Sequence, residues 1–304
     1  MLGIALALGA SFCWGTGDFL GGFSTRRASL WAVIIGSQVV GLLGAALVTL
    51  AAGHAWPGWW AVWPVALGGV ASVGAISSFY KALAIGTMSV VAPISATNVV
   101  IPFVVGIAAG ERPAAIQLVG VALAAAGAIL VAVEPARRDA RTGVAAPVAG
   151  LPVGRAARGG APWPSPGARR RAVALSLLAA VCMGLTLVAY DATARYDPLW
   201  AMLGGRLSSA LVFSLVFLLL RPRVALTRTA LPLIAAVGVF DTSANGLFAL
   251  ATTQGYLSIV AVLGTLYPVV TVLLAFVVLR ERIATHQVGG AVATLVGVAL
   301  IAAG

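Results

Sequence analysis

The sequence predicts an all-α polytopic membrane protein with ten transmembrane helices, arranged as two inverted five-helix repeats. Of its 304 residues, 61% are hydrophobic and 9% are charged, whereas about a quarter of a soluble globular chain is charged. The apolar residues form continuous runs of about 20 residues, the length of a helix that crosses a bilayer. A transmembrane β-barrel would instead show alternating segments of about ten residues. Helical spans are therefore the structure that this composition favours.

Ten apolar runs, numbered here as spans one to ten, fall into two groups of five. The first group covers residues 2–22, 29–52, 60–83, 89–110 and 114–134, and the second covers 172–192, 198–220, 229–252, 256–279 and 286–303. The residues between the groups are rich in Pro, Gly, Ala and Arg without apolar periodicity, which predicts a flexible linker. We therefore expect a first repeat at 1–134, a linker at 135–170 and a second repeat at 171–304.

The two groups share sequence motifs in the same order. A shift of 169 residues places the Cys-x-Gly motif at 13–15 on that at 182–184, and the Leu-Trp-Ala motif at 30–32 on that at 199–201. Because five is odd, the second repeat enters the membrane from the opposite side, so the repeats are inverted. Secondary transporters often have this design, with the solute site near the midplane between the repeats.

The arginines are distributed unevenly between the two sides of the membrane. The side that carries the termini and the even-numbered loops holds two, and the side that carries the linker holds fifteen. Arg and Lys in loops mark the cytoplasmic side. The count predicts a multi-pass protein of the cell (inner) membrane with a cytoplasmic linker and both termini outside. It also explains the net charge of +11 without a nucleic-acid partner.

Three segments carry a family resemblance: CWGTGDFLGG at 13–22, the block from ALAIGTMSVV to GERP at 82–113, and the block from ALATTQGYLS to RERI at 249–283. They resemble the drug/metabolite transporter superfamily, in particular its ten-span members with two EamA-type domains. The resemblance implies a permease for amino acids, other small metabolites or drug-like compounds, commonly an exporter. Members of that family are usually drawn with cytoplasmic termini, which departs from the arginine count.

Together these features predict a secondary transporter of small organic solutes that works by alternating access between the repeats, with proton coupling left open. The alternative is a membrane scaffold or regulatory subunit whose basic linker binds anionic lipid or an acidic partner. The sequence contains no P-loop, metal-ligand cluster or nucleophile elbow, so we expect neither an enzyme nor a cofactor. The expected partners are a small-molecule solute and the lipid bilayer, and a homo-oligomer stays open.

Few ionisable residues lie inside the spans, where each costs at least about 2.5 kcal/mol at the bilayer centre. Asp18 shares a helix face with Trp14 and is either a proton-coupling or cation-binding carboxylate, or the end of span one, bonded to a turn at 21–22. Arg206 and Asp241 lie deeper. A buried arginine needs a carboxylate partner, so we expect Arg206 to pair with Asp241 or Asp18, in a structural role or in a gate.

Spans four and nine contain prolines among polar residues, which predicts a break at corresponding places in the two repeats. At the end of span three, Lys81 either reaches the membrane interface or binds an anionic group. Glu111 and Glu281, which end spans four and nine, are expected to cap helices. We assign no catalytic or metal-binding residue. The candidate residues for the cavity or for coupling are Trp14, Asp18, Tyr80, Lys81, Pro93, Ser95, Asn98, Arg206, Asp241, Asn245, Thr265, Tyr267 and Pro268.

Overall fold

The computed structural model describes residues 1–25, 27–85, 91, 94–132, 166–222, 224–279 and 285–304. These residues form helices, short 3-10 turns and loops, with no strand among them. The helices of the first repeat are α1 (Leu2–Ser24), α2 (Leu30–Ala51), α3 (Trp59–Ile85), α4 (Val100–Ala108) and α5 (Ala115–Ala132). Those of the second are α6 (Pro166–Ala194), α7 (Pro198–Leu220), α8 (Leu231–Thr252), α9a (Leu257–Gly264), α9b (Tyr267–Leu279) and α10 (Thr285–Ala303).

The described helices account for ten membrane crossings. Eight helical segments are long and apolar enough to cross a bilayer, with α9a and α9b counted as one. Two shorter apolar segments, Ala96–Ala108 and Ala115–Val131, supply the fourth and fifth. The predicted all-helical membrane fold is therefore confirmed.

Two helix ends differ from the sequence prediction. Helix α6 begins at Pro166, five residues inside the predicted linker, because proline suits the first turn of a helix and the arginines that follow do not interrupt it. Helix α1 continues through Gly21 and Gly22 to Ser24. The alternative in which Asp18 bonds to a turn at 21–22 is therefore wrong. The remaining linker residues, 133–165, lie outside the described residues.

The helices of the two repeats pack in exchanged pairs. Helix α3 packs on α6 and α8 packs on α1; α3 also packs on α7 and α8 on α2. Two further pairs, α2 with α7 and α5 with α10, join helices that hold the same place in each repeat. This pattern is that of a two-fold relation that exchanges the repeats, and it places the first, second, seventh and eighth helices around a shared interior.

Glycines bring α5 and α10 into backbone contact. A Cβ atom added to Gly120 would lie 2.7 Å from the carbonyl oxygen of Gly297, and one added to Gly127 would lie 2.5 Å from that of Gly290. Small residues allow membrane helices to approach this closely. Because residue numbers rise along α5 as they fall along α10, the two equivalent helices are antiparallel. Antiparallel equivalent helices are what inverted repeats require.

Candidate functional site

A buried arginine lies where α2, α7 and α8 meet. The side chain of Arg206 is 4% exposed, and its Nη2 donates to Oδ2 of Asp241 over 2.5 Å. Its Nη1 donates to Oε1 of Gln38 over 3.3 Å. Removing a charge from water is costly unless it is paired and hydrogen-bonded. The expected pairing of Arg206 with a carboxylate is thus confirmed, and the partner is Asp241.

Helix α2 leaves room for the guanidinium through Gly41. A Cβ atom there would lie 3.5 Å from Cζ of Arg206 and would collide with the hydroxyl of Thr242. Nε of Arg206 and Oγ1 of Thr242 are buried and have no hydrogen-bond partner among the described residues. The hydroxyl end of Tyr190 lies against Gly205 and close enough to Arg206 to interact with its charge. The guanidinium is therefore held mainly by Asp241.

Asp241 opens towards water although it lies in the middle of a span. It is ten residues from the start of α8, about 15 Å along the helix, yet 43% of its side chain is exposed. Hydrocarbon does not solvate a charged carboxylate, so such groups face a bundle interior or a water-filled cavity. We infer that the carboxylate of Asp241 lines a cavity at this depth.

Asp18 approaches the same cavity from α1. The preceding residue, Gly17, packs on α8, where an added Cβ atom would lie 3.7 Å from the backbone nitrogen of Asp241. The carboxyl group of Asp18 interacts electrostatically with those of Asp241 and with the hydroxyl of Tyr267. It makes no ion pair or hydrogen bond within the described part of the chain. We call Asp18, Arg206 and Asp241 the charged cluster.

The charged cluster breaks the symmetry of the repeats. The shift of 169 residues aligns Asp18 and Arg206 with neutral residues, and the shift of 167 that fits spans three and eight does the same for Asp241. The aligned residues are Leu187, Ser37 and Gly74. Because neither repeat needs these charges at the equivalent place, the repeat fold does not by itself require them.

The expected interruption is present in both the fourth and the ninth span. A 3-10 turn, Ala96–Val99, precedes α4, and the ninth span breaks at Thr265, between α9a and α9b. The hydroxyl of Thr265 donates to the carbonyl of Ala261 over 2.9 Å. In the fourth span, by contrast, Oγ of Ser95 and Oδ1 of Asn98 are buried without a hydrogen-bond partner in the described residues. Polar capacity is therefore left over at the first break but not at the second.

Aromatic side chains lie beside the charged cluster. The rings of Trp14 and Phe248 are 5.6 Å apart, and Gly264 gives Trp14 room, since an added Cβ atom would lie 3.3 Å from its Cζ3. Trp14 is one helical turn from Asp18. The expected common face of Trp14 and Asp18 thus turns towards the eighth and ninth spans.

The other candidate residues lie apart from the ion pair or beyond the described residues. Lys81 is exposed on α3, as expected for a lysine that reaches the membrane interface. Asn245 follows Asp241 by one turn on α8 and is half-buried, and Pro268 is the second residue of α9b. Tyr80 belongs to α3, and Pro93 lies outside the described residues.

Sequence reasoning missed the neutral members of the site. Gln38, Gly41, Tyr190 and Thr242 contact or adjoin Arg206, but none of them carries a formal charge. Gln38 could have been found, because an amide inside the otherwise apolar second span needs a hydrogen-bond partner. The other three give no such signal in the sequence.

Glu111 joins the two repeats at the start of the ninth span. Its Oε1 accepts a hydrogen bond from the backbone N–H of Leu257 over 2.6 Å, and its Oε2 accepts one from Ser258 over 2.9 Å. A carboxylate satisfies the free N–H groups of a helix N-terminus and complements the helix dipole. The expected capping role of Glu111 is confirmed, and Glu281 lies outside the described residues.

Two more ion pairs occupy the membrane side that carries the termini. Asp191 pairs with Arg195 over 2.7 Å, and Nδ1 of His54 lies 2.5 Å from Oδ2 of Asp197. Asp197 also caps α7 by accepting from the backbone N–H of Leu199. These contacts hold helix ends and loops together. Among the described residues, no group of three or more His, Cys, Asp or Glu side chains could hold a metal ion.

Comparison with known proteins agrees with this fold. The model of the EamA-like transporter family matches residues 1–133 and 170–303. No curated protein matches the chain significantly, whereas 23 chains of solved structures do. One of these, a crystal structure, aligns with 99% of this chain over 98% of its own length, with a TM-score of 0.76 and 17% identity. That identity shows a shared fold alone. Since the family match covers most of the sequence in two segments, the chain belongs to the EamA-like transporter family.

Proposed function

We propose that this chain is a secondary transporter that exports small organic solutes, such as amino acids, other metabolites or drug-like compounds, by alternating access between its two repeats. The observation that carries the proposal is the charged cluster, which lies at mid-span between helices of both repeats. Ionisable groups at this depth are retained in membrane proteins chiefly for substrate and ion pathways. Membership of a family of membrane transporters supports the same function.

Proton coupling through Asp18 or Asp241 is part of this proposal. The sequence contains no nucleotide-binding motif, so active transport draws on an ion or solute gradient. The two carboxylates interact with each other, and one proton relieves the repulsion between them. A change in solvent access from one side of the membrane to the other would then let that proton enter and leave on opposite sides.

The broken fourth span supports a solute site next to these carboxylates. Helix interruptions at corresponding places in inverted repeats accompany the binding sites of secondary transporters. The unpartnered Oγ of Ser95 and Oδ1 of Asn98 offer hydrogen bonds to a solute or to cavity water. We take the moving units to be the two repeats, at 1–134 and 171–304, joined by the linker.

Reconstituted vesicles test the proposal. Vesicles with an acidic interior and a neutral exterior should take up amino acids or drug-like compounds faster than vesicles without the pH gradient, as protons leave in exchange. Vesicles without protein, and vesicles whose gradient is abolished by a protonophore, are the controls. The proposal fails if no member of an amino-acid and drug panel moves at any of several pH values.

We also propose the orientation that the arginine distribution favours, with both termini outside the cell and the linker in the cytoplasm. A C-terminal fusion to alkaline phosphatase, which works only outside the cytoplasm, should be active, and the same fusion within the linker should be inactive. A cytoplasm-dependent fluorescent reporter should give the opposite pattern. Fluorescence of that reporter at the C-terminus would reverse the orientation.

A further inference from the structure

The charged cluster has an unbalanced charge. Its guanidinium, on Arg206, is neutralised by Asp241 over 2.5 Å, and Gln38 adds a neutral acceptor. This leaves the carboxylate of Asp18 without a counter-charge inside the described residues. With both carboxylates ionised, one positive and two negative charges give the cavity a net charge of −1.

The groups that face Asp18 do not remove this imbalance. From α8 it faces Asp241, which is also acidic, and from α9b it faces the hydroxyl of Tyr267. Beyond Asp241 lie Arg206, which is already paired, and the neutral Tyr190. An isolated charge in a medium of low dielectric constant is so costly that it is neutralised or paired instead. Asp18 must therefore hold either a proton or a cation in every state that excludes bulk water.

We propose that the transported solute is a monovalent organic cation, an amine in its ammonium form, which binds the carboxylate of Asp18 in place of that proton. This inference rests on the proposed transport function and adds to it the charge class of the substrate. As the ammonium group arrives, the O–H bond of Asp18 breaks and the proton leaves to water on the side to which the cavity opens. One positive charge replaces another, so transport is a one-for-one, electroneutral exchange.

The surroundings of Asp18 suit a cation that carries an apolar group. Trp14 lies one turn away on the same helix, and its ring packs near Phe248. Cations bind favourably over the face of a tryptophan ring, and the apolar part of the solute would contact the same aromatic wall. The exposed part of Asp241 gives the ammonium a second acceptor without breaking the bond from Arg206, since a carboxylate has two oxygens.

Calorimetric binding to the protein in lipid nanodiscs tests this assignment with three probes of similar shape: 2-phenylethylammonium, 2-phenylethanol and phenylacetate. Titration in two buffers of different ionisation enthalpy reports the protons released for each molecule bound. We expect the ammonium probe to bind at least ten times more tightly than the other two, with release approaching one proton at low pH. Asp18→Asn should weaken its binding at least tenfold and abolish the proton release. Asp191→Asn, which removes a carboxylate outside the charged cluster, should change neither.

Each other outcome overturns the inference. Equal or tighter binding of the neutral or anionic probe contradicts the charge class, and cation binding without proton release contradicts the exchange. Binding of none of the three probes, while vesicles still transport some solute, rejects the cation assignment and leaves the proposed transporter standing. If vesicles move no solute of any charge, the proposed function fails as well, so the two failures are distinguishable.

Discussion

Replacing Asp241 with Asn is expected to lower solute transport by more than about tenfold and to abolish its response to a pH gradient. The substitution leaves the guanidinium of Arg206, only 4% exposed, with no charged partner in direct contact. Removing one partner of a buried ion pair costs about 3–5 kcal/mol. Asp18 is the nearest remaining counter-charge, and a carboxylate recruited to Arg206 no longer exchanges a proton or binds a cation. The measurement is solute uptake into vesicles with and without the pH gradient.

Two variants separate this effect from a simple loss of folding. The double variant Asp241→Asn with Arg206→Gln removes both charges of the pair, so Asp18 again has no counter-charge. It should be more stable than the single variant and should recover part of the gradient-driven transport. Asp191→Asn is the matched control, because the partner of that carboxylate, Arg195, is 59% exposed and can be solvated by water. Its transport should stay close to that of the wild type.

The double variant also decides the role of the pair. If the double variant is as inactive as Asp241→Asn although it is folded, Asp241 acts in transport beyond neutralising Arg206. If Asp241→Asn keeps full, gradient-dependent transport, neither Asp241 nor its bond to Arg206 takes part in coupling. Energies of residues in one contact network do not add, so the comparison uses both single variants and the double variant.

The sequence predicted the spans and the ion pair because both depend on a few strong physical constraints. A crossing of the bilayer requires about 20 apolar residues, and most predicted helix ends agree with the structure to within two or three residues. Arg206 had to find a carboxylate inside the membrane, and only Asp18 and Asp241 lay at a suitable depth. The exact start of α6 was not predictable from hydropathy, because its first turns, from Pro166 onwards, contain arginines that helix formation tolerates.

The rest of the site depends on contacts between residues far apart in the chain. Nothing in the sequence indicates that Gly41 makes room for Thr242 and Arg206, because glycine is abundant in every span. The antiparallel register of α5 and α10 places four glycines opposite each other, although each glycine alone is uninformative. The prolines did indicate that spans four and nine break, but they did not show that polar groups such as Ser95 and Asn98 lack partners at one break only.

Replacing Gly290 with Leu is expected to separate α5 from α10 and to destabilise the whole fold. A Cβ atom at this position would lie 2.7 Å from the carbonyl oxygen of Gly127 and 2.9 Å from Cβ of Leu130. The nearest of these atoms belongs to backbone, which a side-chain rotation cannot move aside. Overpacking of a well-packed interior typically costs about 1–3 kcal/mol, and a branched side chain directed at a backbone should reach the upper end of that range. The measurement is the apparent melting temperature of the purified protein in detergent.

The adjacent residue supplies a control that differs only in direction. Gly289 lies on the same turn of α10, but a Cβ atom there has nothing within 4 Å, so Gly289→Leu should be neutral or stabilising by up to about 1 kcal/mol through helix propensity. Gly120 holds in the first repeat the place that Gly290 holds in the second, at a shift of 170 residues. Gly120→Leu should therefore lower the melting temperature about as much as Gly290→Leu. Equal effects at Gly289 and Gly290 would mean that α5 and α10 do not meet through these glycines. A large effect at Gly290 with none at Gly120 would mean that the contact does not follow the two-fold relation between the repeats.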